Sequence, residues 1–523
     1  MSYRLGIDVG GTMTDAVILD TADNVVSKVK VPNSSDIVSG IQTAITHVLQ
    51  TSGLPPQRIS LAMLGTTQVT NAIIERRGLS RVLAMRIGAP ATTGVKPLAS
   101  WPDDLATWGR AHSVILRGGH EFDGRLIAPL DELAVAEACR KVRGTVDAVA
   151  VTGVFSPVSA QHEERAAAII QEELGDVPTS LSHQIGSIGL LERENATILN
   201  AMVIQVAKRV VQTFSAAIRN SGISAALFLA QNDGTLMELD YAQQYPILTV
   251  ASGPTNSMRG AAYLTGLTDA VVIDIGGTST DVGILVRGFP RESAVAVEVG
   301  DVRTNFRMPD LVSLGLGGGS IVRETARGIT IGPDSVGYKI ITEGQVFGGH
   351  TLTFTDVAVS QGRGPLGDPG VLTLDEAFAQ QAYQIAVNRI VDAIAQIKTN
   401  ALPIPLIAVG GGSFTLPDAL PEASHIVRPL HYEVANAIGA AMAQVSGRVD
   451  KIYNMEGRKR DEVLAEAEAA ARAEAEAAGA APDSLVLVDV EELPLSYLPG
   501  NATRIRLTVA GTLRAWEELK AES

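Results

Sequence analysis

The sequence predicts an α/β protein made of two related lobes that face one another, with a small α+β unit appended at the C-terminal end. Three observations predict it: a glycine hairpin that occurs twice, apolar strands alternating with amphipathic helices, and a shift of composition near residue 450. A chain of 523 residues is also too long for one compact core. The expected divisions are residues 1–190, residues 191–450 and residues 451–523.

The duplicated segment reads IDVGGTMTDAVIL at residues 7–19 and IDIGGTSTDVGIL at residues 273–285. Asp8, Gly10, Gly11, Thr12, Thr14 and Asp15 stand in register with Asp274, Gly276, Gly277, Thr278, Thr280 and Asp281, 266 positions later. Each copy reads as strand, Gly-Gly turn, strand. After the first copy a helix is expected around 36–52, then strand SLAMLG and a helix from 67 to 77. Strand RVLAM leads into an irregular region over 88–128, followed by a helix at 130–143, strand DAVAVTGVF and a helix at 159–174. Further helices are expected over 191–221, 252–266, 374–399 and 432–446, with the strand LIAVGGGS before the last. Such alternation means sheet covered by helices. The small-residue stretches GPTNSMRGAAYL and ANAIGAAMAQ permit close helix crossings where two lobes meet. Past 450, EGRKRDEVLAEAEAAARAEAEAAG has few large apolar residues and reads as a solvated helix, with the strands LVLVDVEELPL and RIRLTVAG after it.

Hydrophobic residues at 46% and charged residues at 19% give a globular composition. The net charge of −15 argues against nucleic acid or an anionic membrane as partner, since both demand a basic face. It leaves room for an anionic nucleotide, which backbone N–H groups and a metal can hold locally. Cys139 is the only cysteine, so disulfides, iron–sulfur clusters and thiolate zinc sites are excluded within one chain. Its place on an amphipathic helix reads as a buried, inert thiol. The chain opens on an apolar strand without a basic-then-apolar leader, and no segment is apolar over ~18 residues, so the cytoplasm is expected.

The hairpin D-x-G-G-T-x-T-D carries the chemistry. Two glycines let a backbone approach phosphate closely with its N–H groups pointing inward. Thr12, Thr14, Thr278, Ser279 and Thr280 add hydroxyl donors. Asp8 and Asp274 would repel a phosphate directly, and their reading is to position Mg²⁺, often through water. Asp15 and Asp281 either help hold the nucleotide or pin the hairpins; the residues leave both open. One such turn would pass for an ordinary hairpin with its Asp and Thr bonded locally. Two converging from separate lobes make a phosphate clamp. Gly410, Gly411 and Gly412 end a strand with three glycines, suited to a nucleoside lying against the backbone.

The order of these parts resembles the actin/Hsp70/sugar-kinase superfamily: phosphate hairpin, connecting helix, second phosphate hairpin, adenosine loop, connecting helix. That resemblance implies two ribonuclease-H-like lobes with ATP and Mg²⁺ between them. Within it, LGTTQVTNAIIERRG (64–78), SHQIGSIGLLERENATILNAM (182–202), DIGGTSTDV (274–282), LGLGGGSI (314–321) and TFTDVAV (353–359) look like the hydantoinase A/oxoprolinase family. The likeness runs over roughly residues 4–445. It implies opening of a cyclic amide such as a hydantoin, 5-oxoproline or a thiohydantoin-like ring at the cost of ATP. It also implies a second subunit, of hydantoinase or thiohydantoin-desulfurase type, within an oligomer. Relatives that carboxylate ketones supply an alternative, and the superfamily's switch and filament proteins supply a non-enzymatic one.

His183 and Arg193 match family positions and join Asp8 and Asp274 as candidate catalytic residues, the histidine being otherwise an ordinary loop-end residue. Arg193, Thr197 and Asn200 share one helical face that lines either a substrate cleft or an interdomain contact. Asp356 is a weaker candidate of the same kind. The sequence departs from the family where Leu64 and Val312 replace customary histidines, and a Gly-Pro-Ala-Cys segment is missing after GPDSVG (332–337). Residues 450–523 take the place of most of the usual C-terminal region. No two histidines are spaced as metal ligands, so no zinc site is read.

Overall fold

A computed structural model describes residues 2–33, 37–293, 297–306, 308–442, 444–496, 498 and 500–521, with the main chain alone at 37–39, 111 and 519–521. The first sheet runs, in spatial order, Leu236–Glu238, Ala226–Ala230, Ile59–Thr66, Tyr3–Val9, Met13–Leu19, Val25–Pro32. Its hairpin is antiparallel, and Ile59–Thr66 and Ala226–Ala230 add in parallel. The second sheet repeats this plan. Ala270–Ile275 and Thr280–Val286 form the hairpin, Leu311–Leu314 continues it, and Ile404–Val409 and Ala423–Val427 add in parallel. The register repeats as well: Asp8 stands opposite Asp15, and Asp274 opposite Asp281.

Alternation along the first strand sets what each face meets. Leu5, Ile7 and Val9 pack with Ile41, Ile45 and Phe214 of the helices Ile37–Ser52 and Leu190–Asn220. Gly6 and Asp8 point to the other face, where a Cβ on Gly6 would lie 2.3 Å from the Ala437 carbonyl. The helices Ser252–Thr265 and Ala435–Ala440 cross there. A Cβ on Gly260 would lie 1.9 Å from the Ala435 carbonyl, and one on Gly439 1.8 Å from that of Asn256. The small residues thus act as expected, by letting two helix backbones touch.

Several expectations need correction. Residues 88–128 are not irregular throughout, because Ser113–Arg117 forms a strand. It joins Val82–Ala89, Ala148–Gly153 and Thr179–Leu181 in a separate, all-parallel sheet, so residues 1–190 hold two sheets and not one. The boundary at 190/191 falls at the start of the helix Leu190–Asn220, and the strands that follow pair back into the first sheet. The helix expected at 36–52 is Ile37–Ser52, residue 36 lying outside the described residues. The helix expected at 432–446 ends at Ala440, since Gln444–Tyr453 is already the first strand of the C-terminal unit. That unit orders its strands Gln444–Tyr453, Thr503–Thr512, Val486–Pro494. Its helix Arg460–Ala477 is not solvated all round. Val463, Ala467, Ala471 and Ala475, four residues apart, are fully buried with Leu61, Met63 and Phe228 of the first sheet. Small side chains pack closely where a large apolar stripe was sought. Among the described residues no helix is long and apolar enough to cross a membrane.

Candidate active site between the hairpins

Each hairpin closes with the same turn. The Gly10 N–H donates to the Met13 carbonyl at 3.1 Å, and the Gly276 N–H to Ser279 at 2.9 Å. The two turns meet: a Cβ on Gly277 would lie 3.0 Å from Thr12 Oγ1. That hydroxyl is buried without a hydrogen-bond partner. Behind the second turn the loop Gly315–Gly319 packs onto it, Gly318 and Gly319 donating to the carbonyls of Gly276 and Gly277 at 3.0 and 2.7 Å. Gly410, at φ +83°, closes on the same strand end, where a Cβ would strike Asp274 Oδ1 at 2.1 Å. The Gly412 N–H donates to the Ile275 carbonyl at 2.7 Å, and a Cβ on Gly411 would lie 3.5 Å from Lys30 Cε. The structure therefore brings Gly10, Gly11, Thr12, Gly276, Gly277, Thr278, Ser279 and Gly410–Gly412 together.

The carboxylates sit deeper. Asp8 is 3% exposed and accepts from Asn256 Nδ2 at 3.3 Å and Asn436 Nδ2 at 2.9 Å. Burial, then the charge of Asp15 and more weakly that of Asp274, pushes its pKa up to about 6. Asp274 accepts from Ser257 Oγ; burial raises its pKa too, while Lys30 pulls the other way. Asp281, which accepts from Ser313 Oγ, is raised to about 6 by burial and by Asp274. The charges of Asp8, Asp15 and Asp274 thus couple across the lobes and Asp281 couples to Asp274, an arrangement that a cation would relieve.

Thr14 and Thr280 do not present free protons to this space. Thr14 Oγ1 donates to Asn33 Oδ1 at 2.8 Å, and Thr280 Oγ1 to the Leu316 carbonyl at 2.5 Å, so both brace their turns. Asp15 is pinned by Lys30 Nζ, at 2.7 and 2.6 Å from its two oxygens. Sequence reasoning missed Lys30, Asn33, Asn256, Ser257 and Asn436, whose partners lie far off along the chain. Asn33, whose side chain donates to the Gly10 carbonyl at 2.6 Å, lies outside the repeat and carries no signal of its own.

His183 and Arg193 stand elsewhere. They belong to the parallel sheet's own polar cluster, built on the buried Glu163, and neither touches a hairpin. Glu163 accepts from the Gly153 N–H at 2.6 Å and Ser182 Oγ at 2.5 Å, and pairs with His183 Nδ1 at 2.6 Å. Burial raises its pKa, but these hydrogen bonds outweigh it and hold the carboxyl below its usual range. Arg193 spends its donors on Ser182 Oγ and the carbonyls of Ser187, Gly189 and Gly153, and burial lowers it to about 10. It is a strut, which corrects its reading as a reacting group. His183 edges a different cavity of about 680 Å³, under the C-terminal unit. Thr197 bonds back to the Arg193 carbonyl and Asn200 braces Ser180 and Gln244, so that helical face is structural. Asp356 closes a capping box with Thr353. Cys139 is fully buried, its thiol pushed up to about 11 by that burial.

Three features test the site against a magnesium–nucleotide, and it fits. Thr12 offers a buried hydroxyl with no partner; the glycines leave a cradle that Cβ atoms would fill; and Asp8 and Asp274 are carboxylates in want of a cation. Among the described residues no three or more His, Cys, Asp or Glu side chains converge as a metal cage. Mg²⁺ asks for less, taking one or two carboxylates with water and phosphate oxygens.

Fold and site together define a two-lobed α/β protein in which a glycine turn from each lobe meets the other. The chain belongs to the hydantoinase/oxoprolinase family: residues 4–174 match the hydantoinase/oxoprolinase N-terminal region and residues 193–368 the hydantoinase/oxoprolinase domain. It is 29% identical to caprolactamase subunit alpha of Pseudomonas jessenii over 64% of this chain and 51% of that one. It is 28% identical to the acetophenone carboxylase gamma subunit of Aromatoleum aromaticum, over 68% and 53% of the two chains. The matched span is thus about half the length of these curated relatives. The crystal structure of the ATP-dependent caprolactamase from Pseudomonas jessenii has the same fold, with a TM-score of 0.79, 20% identity and coverage of 98% of this chain and 88% of that one. The likeness of fold therefore reaches into the C-terminal unit, beyond the sequence resemblance that ends near 445.

Proposed function

We propose that this chain binds Mg²⁺–ATP between its hairpins and uses it to activate the carbonyl of a cyclic amide for ring opening by water, with a second subunit. The observation that carries the reading is the contact of Thr12 with Gly277 across the lobes, with Asp8 and Asp274 on the strands that lead into the two turns. An amide carbonyl is a poor electrophile; with its oxygen phosphorylated, water would add to the ring carbon, the ring nitrogen would leave with a proton to give an acyl phosphate, and a second water would release phosphate from the carboxyl group. Such a transfer asks the protein for positioning and charge neutralisation, not for a nucleophile of its own. Asp8 and Asp274 would hold the metal. Backbone N–H groups at the two turns and the Thr12 hydroxyl would receive phosphate oxygens, and Gly410–Gly412 would lie against the nucleoside. Lys30 keeps Asp15 out of the phosphate path by neutralising it.

The acetophenone carboxylase relative supports a second reading, ATP-dependent ketone carboxylation. One assay separates the two: ATP turnover with a panel of hydantoins, oxoproline and other lactams, against ketones with bicarbonate, each with and without the partner subunit. Lactam-dependent turnover supports ring opening; turnover that needs ketone and bicarbonate replaces it with carboxylation.

A further inference from the structure

The segment LGTTQVTNAIIERRG, which carries much of the family likeness, touches the hairpin site at Gly65, where a Cβ would lie 2.3 Å from Asp8 Oδ1. It lines a second feature. A cavity of about 520 Å³ lies between the helices Ile37–Ser52, Gln68–Glu75 and Leu190–Asn220, and Leu64, Thr66, Gln68 and Asn71 of that segment form one wall. Val206 and Val210 of the long helix face them, with Arg77 and Arg209 at the mouth. The cavity adjoins the first turn. Thr66 is paired with Val9, the residue before Gly10, and the Thr67 N–H reaches the Val9 carbonyl at 3.4 Å.

Gln68 and Asn71 are three apart on one helix, so their side chains share a face. Among the described residues the Gln68 carboxamide makes no hydrogen bond, and Asn71 uses only Nδ2, at 3.4 Å from Thr67 Oγ1. A half-buried carboxamide without partners is worth satisfying. A ring amide is locked cis and presents its C=O and N–H along one edge. A side-chain carboxamide presents a donor and an acceptor in the same way, so the two can pair through two hydrogen bonds at once. A ketone has no N–H and can make only one. The aliphatic wall suits a hydrocarbon ring or substituent, and the volume lies in the range of small-molecule pockets.

We infer that this cavity is the acceptor pocket, and that Gln68, supported by Asn71, recognises the cis-amide edge of a lactam or hydantoin bearing an apolar ring or side chain. This rests on the ring-opening reading above. Gln68 is here a substrate-binding residue, so its loss should act on substrate affinity and leave the nucleotide alone.

The test is a cycle of ligand against protein, run on the full chain with its partner subunit. ATP turnover is followed against the concentration of a turned-over lactam, with its N-methyl analogue as a competing ligand, for wild type and Gln68→Leu. In the wild type the Ki of the N-methyl analogue should exceed the KM of the parent by about tenfold, the worth of a lost hydrogen bond with its partner stranded. In Gln68→Leu the KM for the parent lactam should rise by a similar factor, the N-methyl penalty should vanish, and the KM for ATP should stay within about twofold. An N-methyl penalty equal in wild type and Gln68→Leu, or a lactam KM indifferent to Gln68, overturns the pocket while lactam-dependent turnover keeps the ring-opening reading alive. Turnover that answers only to ketone and bicarbonate overturns both.

Discussion

Thr12 and Gly277, on hairpins from opposite lobes, are in contact: a Cβ at Gly277 would sit 3.0 Å from the threonine hydroxyl and 3.1 Å from its methyl. The Gly277→Ala variant should therefore prop the lobes apart by a few tenths of an ångström where phosphate would be gripped. We expect weaker ATP affinity, by about tenfold or more, with thermal stability changed by no more than about 1 kcal/mol, since the turn faces the cleft and not a core. Nucleotide titration beside thermal unfolding checks both. The double variant Thr12→Ser with Gly277→Ala should recover part of the affinity, because the clashing methyl has gone.

The carboxylates make stability depend on pH in a definite sense. Asp8 has a folded pKa of about 6 against an ordinary value of 3.8. Its contribution is fully favourable below the unfolded pKa and is lost as pH rises through about 6. Asp8→Asn should thus gain on the wild type between pH 4 and 6 and hold that gain above pH 6, a gap of up to roughly 3 kcal/mol. It should abolish ATP-coupled turnover at the same time. Mg²⁺ with nucleotide should narrow the gap by stabilising only the wild type. A gap that does not change with pH would show that neither burial nor the neighbouring charges raise the pKa of Asp8.

The hairpins were legible because a repeated D-x-G-G-T-x-T-D reports local turn geometry, and local geometry is written in adjacent residues. Arg193 was legible only as a matching position, and its partners Gly153, Ser182 and Ser187 make it a strut through long-range folding. The first sheet was legible strand by strand, but Ser113–Arg117 hid in a Gly- and Pro-rich stretch and so did the separate parallel sheet it joins. The alanine face at 463–475 misled for another reason: apolar periodicity is judged by large residues, and here the sheet approaches too closely to admit them.

That close approach gives a prediction of its own. A Cβ on Gly447 would lie 2.0 Å from the Ala471 carbonyl and 2.3 Å from the Ala475 N. Both are backbone atoms of the helix Arg460–Ala477, which cannot yield without lifting off its sheet. Gly447→Ala should cost about 1–3 kcal/mol, as overpacking does. Limited proteolysis should show the loss as earlier cleavage within 444–521, with the first lobe intact for longer.

Glu163 should prove a structural centre. Its depressed pKa means that its contribution is present above the ordinary glutamate value and is lost as pH falls through the folded pKa. Glu163→Gln keeps the shape but brings an amide donor against donors from Gly153, Ser182 and His183. We expect a loss of about 3 kcal/mol or more, with Arg193 left to Glu194 alone as a nearby opposite charge. Equal ATP affinity in the surviving folded fraction, measured by titration, would separate this cluster from the hairpin site.

Lys30 offers the sharpest test of how the two lobes are joined. It stands on the strand Val25–Pro32 at the edge of the first sheet, where a lysine can reach water. Its ammonium instead bonds both oxygens of Asp15, at 2.7 and 2.6 Å, and reaches the Glu433 carbonyl of the second lobe at 3.0 Å. The carboxylate of Asp15 is almost wholly buried and the lysine is about a quarter exposed. Removing the lysine therefore strands a buried charge, which costs more than the pair contributes. Lys30→Met should lose about 3 kcal/mol, and the double variant with Asp15→Asn should recover most of it, since two neutral groups leave no charge in the dark. Activity should divide differently. Both variants lose the tie to Glu433, so ATP affinity should stay weak even where stability returns, as titration and thermal unfolding of the same samples would reveal. Recovery of affinity along with stability would mean that Lys30 serves Asp15 alone and that the lobes close without it.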